Sequence, residues 1–264
     1  MHQELCKNCN HVYKGNYCSN CGQKTNTVRL NWHFVKEEIQ YTFLHINKGL
    51  LYTAKQLFTR PGKTVSDYIN GKRVQHYKPI LLVFVLAGLN GLLTHYLNLG
   101  RVMQMSNTGT NKKIGFDPVK FFDWIATRYA LIELTFLPIV SFCSWLAFKK
   151  WGFNYIENII INCFASGQRL LFGIATFPIL YLFNDSKYFF VVSSLLSFPV
   201  YLLTVWLFVD LYNYNNKDVG SIILRMLLLG VIFVIILILL ILLGIIIFVS
   251  LINMGYIDKS LFVK

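Results

Sequence analysis

Apolar positions in this chain follow two regimes that meet near residue 79. Before that point they are spaced; after it they run together. Five of the later runs are long enough for a transmembrane helix, which needs about 20 mainly apolar residues. They are 79–98, with Gly88 and Gly91 inside; 129–148, with Pro138 in the middle; a run within 158–183; 189–209, with Pro199 inside; and 222–252. The last exceeds one crossing, so it must tilt or extend beyond the lipid. Gln168-Arg169 interrupts the third. That leaves a single helix carrying an Arg at depth, which is the preferred reading, or an interfacial helix at 155–167 followed by a short span from Leu170.

The segment 31–78 has a helical period instead. Trp32, Val35, Ile39, Phe43, Ile46 and Leu50 recur at mostly three- and four-residue spacing, with Lys36, Glu37, Gln40 and Lys48 between them. That spacing predicts an amphipathic helix. A second short helix, Leu51 to Phe58, ends at the breaker Arg60-Pro61-Gly62. Thr64 to Asn70 forms another turn or two, stopped by Gly71. Two placements fit these pieces: apolar face down in the inner headgroup layer, or a small helical hairpin packed on the membrane helices. The loop 99–128 starts polar and turns aromatic at Phe116, Phe121, Phe122 and Trp124. An interfacial aromatic belt has that character.

Composition localises the membrane domain. Of 264 residues, 55% are apolar and 14% charged, against about 25% charged in soluble domains. The deficit lies after residue 78. The expected fold is therefore an all-α polytopic membrane bundle of about five transmembrane helices, to which the closely spaced Cys6, Cys9, Cys18 and Cys21 add a small N-terminal zinc ribbon. Its parts are the ribbon at 1–28, an amphipathic, membrane-proximal helical segment at 29–78, and the transmembrane domain at 79–264.

The net charge is +13, and the first 78 residues hold 12 of the 25 Lys and Arg. These lead straight into the first apolar run, the positive-inside pattern of a cytoplasmic amino terminus. This placement points to membrane lipid headgroups rather than nucleic acid as the basic segment's contact. With the amino terminus inside, inner segments carry 16 Lys and Arg and outer ones 8, and the carboxyl terminus lies outside. The polar start Met1-His-Gln-Glu-Leu-Cys6 has no apolar signal region, so the first span is expected to be an uncleaved anchor.

Candidate chemistry concentrates at the start. Cys6-Lys-Asn-Cys9 and Cys18-Ser-Asn-Cys21 are two Cys-x-x-Cys pairs within sixteen residues. Four thiolates so spaced can surround one ion tetrahedrally at about 2.3 Å. Zinc is the expected metal, and iron in a rubredoxin-like site is the minor alternative. Disulfides are disfavoured in a reducing compartment. Four sulfurs close the coordination shell, so the role is structural. Asn10 and Gly22 follow the second Cys of each pair, where a left-handed backbone is needed and both residue types tolerate it. His2 and His11 are read as bystanders. Cys143 and Cys163, within spans, are read as small hydrophobes.

Ionisable and amide groups at membrane depth are the other candidates: Arg169, Glu133, Gln168 and Asn90, with His95 and Asp210 as further hydrogen-bonding groups. Counting along the spans separates Glu133 and Arg169 by about 9 Å along the membrane normal, at 1.5 Å per residue. A direct pair is thus the less favoured arrangement. The more ordinary one has Glu133 at interfacial water and Arg169 capping carbonyls. Among these groups there is no proton relay, P-loop, catalytic triad or second metal cluster, so no enzyme is expected.

Several motifs stand in order: Cys6-x-x-Cys9; Tyr17-Cys18-x-x-Cys21-Gly22-Gln23; Leu57-Phe58-x-Arg60-Pro61-Gly62; Tyr68-Ile69-x-Gly71-Lys72-Arg73; Tyr77-Lys78-Pro79. This order resembles the domain-of-unknown-function 3667 family of bacterial, mainly Bacteroidota, membrane proteins. Asn10 departs from the usual Gly. The resemblance implies a cytoplasmic ribbon on a multi-pass protein of the bacterial inner membrane, and no assigned reaction. Three functions are weighed. The first is a non-enzymatic scaffold that docks a protein partner through its ribbon, with Gly22, Gln23, Tyr13 and Tyr17 near the docking surface. The second is a transporter or permease component with a polar site around Arg169. The third is a membrane enzyme acting on lipid. The sequence assigns no oligomeric state.

Overall fold

The structure is a computed structural model that describes residues 4–25, 27, 29–32, 49–97, 118–184, 186–214 and 216–253. Two short strands, β1 (Glu4–Leu5) and β2 (Val12–Tyr13), pair antiparallel at the amino terminus. Eight α-helices follow among the described residues: α1 (Leu50–Leu57), α2 (Pro61–Ile69), α3 (Pro79–His95), α4 (Pro118–Thr127), α5 (Tyr129–Phe148), α6 (Tyr155–Leu182), α7 (Phe189–Tyr214) and α8 (Val219–Asn253). The amphipathic helix expected from Trp32 onward falls mostly on 33–48, outside the described residues, as does Phe116 of the aromatic loop. Phe121, Phe122 and Trp124 lie on α4.

Four helical segments have the length and apolarity to cross a membrane: Tyr129–Trp151, Tyr155–Leu182, Phe189–Tyr214 and Val219–Ile247. The fifth expected crossing is α3, which has 17 residues. At 1.5 Å per residue it spans about 26 Å, somewhat less than the roughly 30 Å hydrocarbon core. Pro79 at its first turn sets its start, where a missing N–H costs nothing. The run expected within 158–183 is one continuous helix, as preferred, but it begins earlier, at Tyr155. Its start is set by a capping box. The Asn154 side chain accepts from the Glu157 backbone N–H (2.8 Å), and the Glu157 carboxylate accepts from the Asn154 N–H (2.7 Å). Together they satisfy two donors that the helix end would otherwise orphan.

The amino half of α6 is the centre of the molecule. Every residue from Ile156 to Gln168 is buried. Its apolar residues are interleaved with the polar Glu157, Asn158, Asn162, Ser166 and Gln168, and groups buried in that way need partners on the surrounding helices. α1, α2, α3, α5 and α7 all pack on it. The packing on the membrane helices weighed for 51–70 is present. α1 lies against α6, and α2 against both α6 and α7. Leu57, Val65, Tyr68 and Tyr77 join the same core as Ile160, Phe164, Leu207 and Leu211.

The close approach of α2 to α7 depends on Gly62. A Cβ there would overlap the backbone of Asp210 and Leu211. Pro61 opens α2, and the Gly62 N–H, one of the orphan donors of that helix end, donates to the Asp210 carboxylate at 2.7 Å. At the same end of the bundle, the Phe148 ring stacks on Tyr212 with centroids 4.5 Å apart. Arg225 of α8 donates to the Ala147 carbonyl near the end of α5 (2.5 Å) while lying over Trp151. Past this anchorage Met226, Leu229 and Ile232 keep one face of α8 on the core, and every residue from Ile238 to Ile247 is exposed, as on a lipid-facing helix.

Candidate metal centre and the surfaces around it

The ribbon is two copies of one turn, twelve residues apart. In the first, the Cys6 N–H donates to the His11 carbonyl (2.9 Å) and the Asn10 N–H to the Cys6 carbonyl (2.9 Å). In the second, the Cys18 N–H donates to the Gln23 carbonyl and the Gly22 N–H to the Cys18 carbonyl, both at 2.8 Å. Asn10 and Gly22 have φ of 59° and 74°, the left-handed backbone expected for them. Each turn presents two sulfurs to the other. All four Sγ atoms lie within 4.8 Å of one another, with Cys6 to Cys21 at 3.5 Å and Cys9 to Cys18 at 3.6 Å. A tetrahedron of metal–sulfur bonds of about 2.3 Å has edges of about 3.8 Å, so Cys6, Cys9, Cys18 and Cys21 fit one ion. The His11 backbone N–H lowers the Cys9 pKa, whereas burial raises that of Cys6. His11 serves the site through its backbone. A bound metal here would supply folding energy to a segment too short for a core of its own.

The ribbon is fastened to the helices. The Gln23 side chain is buried and accepts the Arg73 N–H at 3.3 Å. Lys7 donates to the Thr27 carbonyl, and the Thr27 side chain sits where a Cβ on Gly71 would go. Gly71 itself has φ of 100°, so the turn after α2 both requires glycine and receives the ribbon. This corrects the expectation that Gln23 faces a partner: it is spent inside the chain. Tyr13 is likewise buried against the cysteines, and its hydroxyl donates to Thr25. Past the ribbon, Arg29 pairs with Glu157 and donates to the Gly152 carbonyl, and the Leu30 carbonyl accepts from Asn154. The sequence reading missed Arg29 and Glu157. Asn154-x-x-Glu157 had the spacing of a capping box, but it was overshadowed by the apolar run that follows.

The intramembrane candidates separate into two places. Glu133 and Arg169 form an ion pair, contrary to the favoured expectation. Register is the reason. Ser144 of α5 donates to Asn158 of α6. From there, eleven residues back on α5 and eleven forward on antiparallel α6 arrive at Glu133 and Arg169. Asn162 also donates to Ser144, so a polar ladder the sequence did not flag sets this register. Arg169 donates as well to the Ser166 hydroxyl (3.1 Å). Gln168 points the other way and is fully buried. Its amide donates to the Leu57 carbonyl (2.8 Å), closing the end of α1. Asn90 donates to the Leu170 carbonyl (3.1 Å), tying α3 to α6. Gln168 and Asn90 therefore hold helices together and do not converge with Arg169 on one site.

Comparison with known proteins adds one match. Residues 47–90 match the model of a family described as "Protein of unknown function (DUF3667)", the family the motifs resemble. The match covers α1, α2 and most of α3, three of the helices that pack on α6. Thr53 within it accepts the buried Tyr77 N–H at 2.7 Å. Searches of curated proteins and of solved structures found no match to this chain.

Proposed function

We propose that this chain is a non-enzymatic membrane scaffold that holds a zinc-stapled ribbon at the cytoplasmic face of the bacterial inner membrane for a protein partner to dock. The observation that supports this is the outer face of the ribbon. Leu5 and Val12 face each other across the strand pair and are 63% and 52% exposed, and Tyr17, paired with Lys24 in the second turn, is also exposed. Alternation along the strand turns Tyr13 inward to the cysteines and leaves Val12 outward. Lys7, Lys14 and Lys24 are also exposed on the ribbon and make its surface basic. A partner with an apolar centre and an acidic rim complements it. Contacts from Gln23 to Arg73 and from Arg29 to Glu157 immobilise the ribbon, so docking orders little that is not already ordered.

The test is site-specific photocrosslinking in living cells. A photoreactive residue at Val12 should give one protein adduct that Leu5→Asp abolishes, whereas the same residue at Gln23 should give none. Adducts only with lipid at Val12, or equal protein adducts at both positions, would remove this reading.

A further inference from the structure

A cavity of about 290 Å³ opens on the side of the bundle between α5, α6, α7 and α8. Phe136, Leu137, Val140 and Phe233 make its apolar wall, and Tyr129, Glu133, Ser166 and Arg169 make its polar end. The cavity lies along segments long enough to cross the membrane, so its open side faces lipid. Arg169 keeps 45% of its side chain accessible there. One of its terminal nitrogens serves both Glu133 and Ser166. Its remaining N–H groups have no partner among the described residues, nor has the Tyr129 hydroxyl.

We infer that this cavity binds a neutral lipid-soluble molecule whose polar end carries hydrogen-bond acceptors, the chemistry shared by quinone carbonyls and fatty esters. Three observations select that class. Unpartnered N–H and O–H groups in a lipid-facing cavity call for acceptors, because hydrocarbon supplies none. The Glu133 carboxylate already neutralises Arg169, so an anion would meet attraction and repulsion together while losing its hydration. A neutral acceptor loses far less on entering. The apolar wall beside the donors accommodates a ring or the first carbons of a chain. A pocket near the lower end of the usual ligand-site range suits a head and part of its tail rather than a whole phospholipid.

Diazirine-labelled decyl probes test this on the full chain in phosphatidylcholine nanodiscs: a 1,4-benzoquinone, a glycerol monoester, a phosphate and a plain decylbenzene. Saturable labelling that maps to 129–140 and 162–169, by the quinone or the ester, is the expected result. The two arms distinguish the sources of the carbonyl. Arg169→Gln should reduce labelling at least tenfold. Val140→Trp, which fills the cavity and leaves the ion pair intact, should do the same in protein that remains monodisperse. Labelling led by the phosphate probe overturns the neutral class. Equal labelling by decylbenzene, or labelling unchanged in monodisperse Val140→Trp, overturns the site.

Discussion

The guanidinium of Arg29 lies fork to fork on the carboxylate of Glu157, with Nε to Oε1 at 2.7 Å and Nη2 to Oε2 at 2.9 Å. The pair joins the chain leaving the ribbon to the first turn of α6, across 128 residues. Bidentate geometry makes such pairs stronger and more directional than a single contact.

The partners are unequal, which gives the first prediction. The Glu157 side chain is 3% exposed and also caps α6, whereas Arg29 is 66% exposed. Glu157→Ala removes the pair and half of the capping box, leaving the Asn154 N–H without an acceptor. It should lower stability by about 2–4 kcal/mol. Arg29→Ala leaves the cap in place and should cost distinctly less. Thermal unfolding of both single variants and the double variant in detergent checks this. Equal costs, or costs that simply add, would mean that cap and clamp are not shared.

Gly62 carries the second prediction. Gly62→Ala must push α2 away from Asp210 and Leu211, because backbone rather than a flexible side chain blocks the Cβ. Overpacking costs about 1–3 kcal/mol, and the hydrogen bond from the Gly62 N–H to Asp210 is strained or lost as well. Asp210→Asn retains an acceptor and should cost less than Gly62→Ala. A folded yield of Gly62→Ala equal to wild type after detergent extraction would contradict the close approach.

The third prediction concerns the ribbon. Purified protein should carry one metal ion per chain, with zinc expected, and Cys18→Ser should lose it. Loss should unfold 4–25 and release the contact between Gln23 and Arg73, while α5 to α8 remain inserted. Metal analysis and protease sensitivity of the amino terminus report the two effects separately. Wild-type metal content in Cys18→Ser would exclude this site.

Long apolar runs showed in the sequence because bilayer crossing imposes length, and the four cysteines showed because tetrahedral ligation imposes spacing. What escaped depended on pairs far apart in the chain. Gly62 read as a helix breaker, but its necessity comes from Leu211. Gln23 read as part of an outer edge, but Arg73 covers it. Glu133 and Arg169 were assigned depths from span ends. Contacts from Ser144 to Asn158 and Asn162 set their real register; Asn158 and Asn162 stand one turn apart in the sequence, but nothing in it names Ser144 as their partner.

His76 gives the fourth prediction. Its ring sits among Tyr52, Tyr68 and Phe164, and its buried Nδ1 has no partner among the described residues. Burial lowers its pKa from 6.5 to about 4; Asp67 opposes the shift and Arg60 assists it. The neutral ring is the folded form. Between pH 6.5 and 4 the unfolded chain takes up the proton and the folded chain does not, so stability falls with pH across that window. The contribution is complete above pH 6.5 and amounts to at most about 3 kcal/mol. His76→Phe keeps the aromatic contacts and should flatten the pH dependence of the melting temperature between 6.5 and 4. An unchanged slope would assign acid sensitivity to another group.

The last prediction turns on α3. If its 17 residues cross the membrane together with the four longer segments, there are five crossings and the termini lie on opposite sides. If α3 stops within the bundle, there are four and the termini share a side. Its contacts favour a crossing. Asn90 holds the Leu170 carbonyl in the middle of α6, and at the far end the Tyr96 carbonyl accepts from Asn184, just past the end of that helix. α3 therefore reaches the same edge as a helix long enough to span. With the basic amino terminus inside, a tag at residue 1 should be shielded from impermeant reagent in intact cells, and a tag at residue 264 should be labelled. Shielding of both tags would leave α3 short of the outer surface, and labelling of residue 1 alone would invert the molecule.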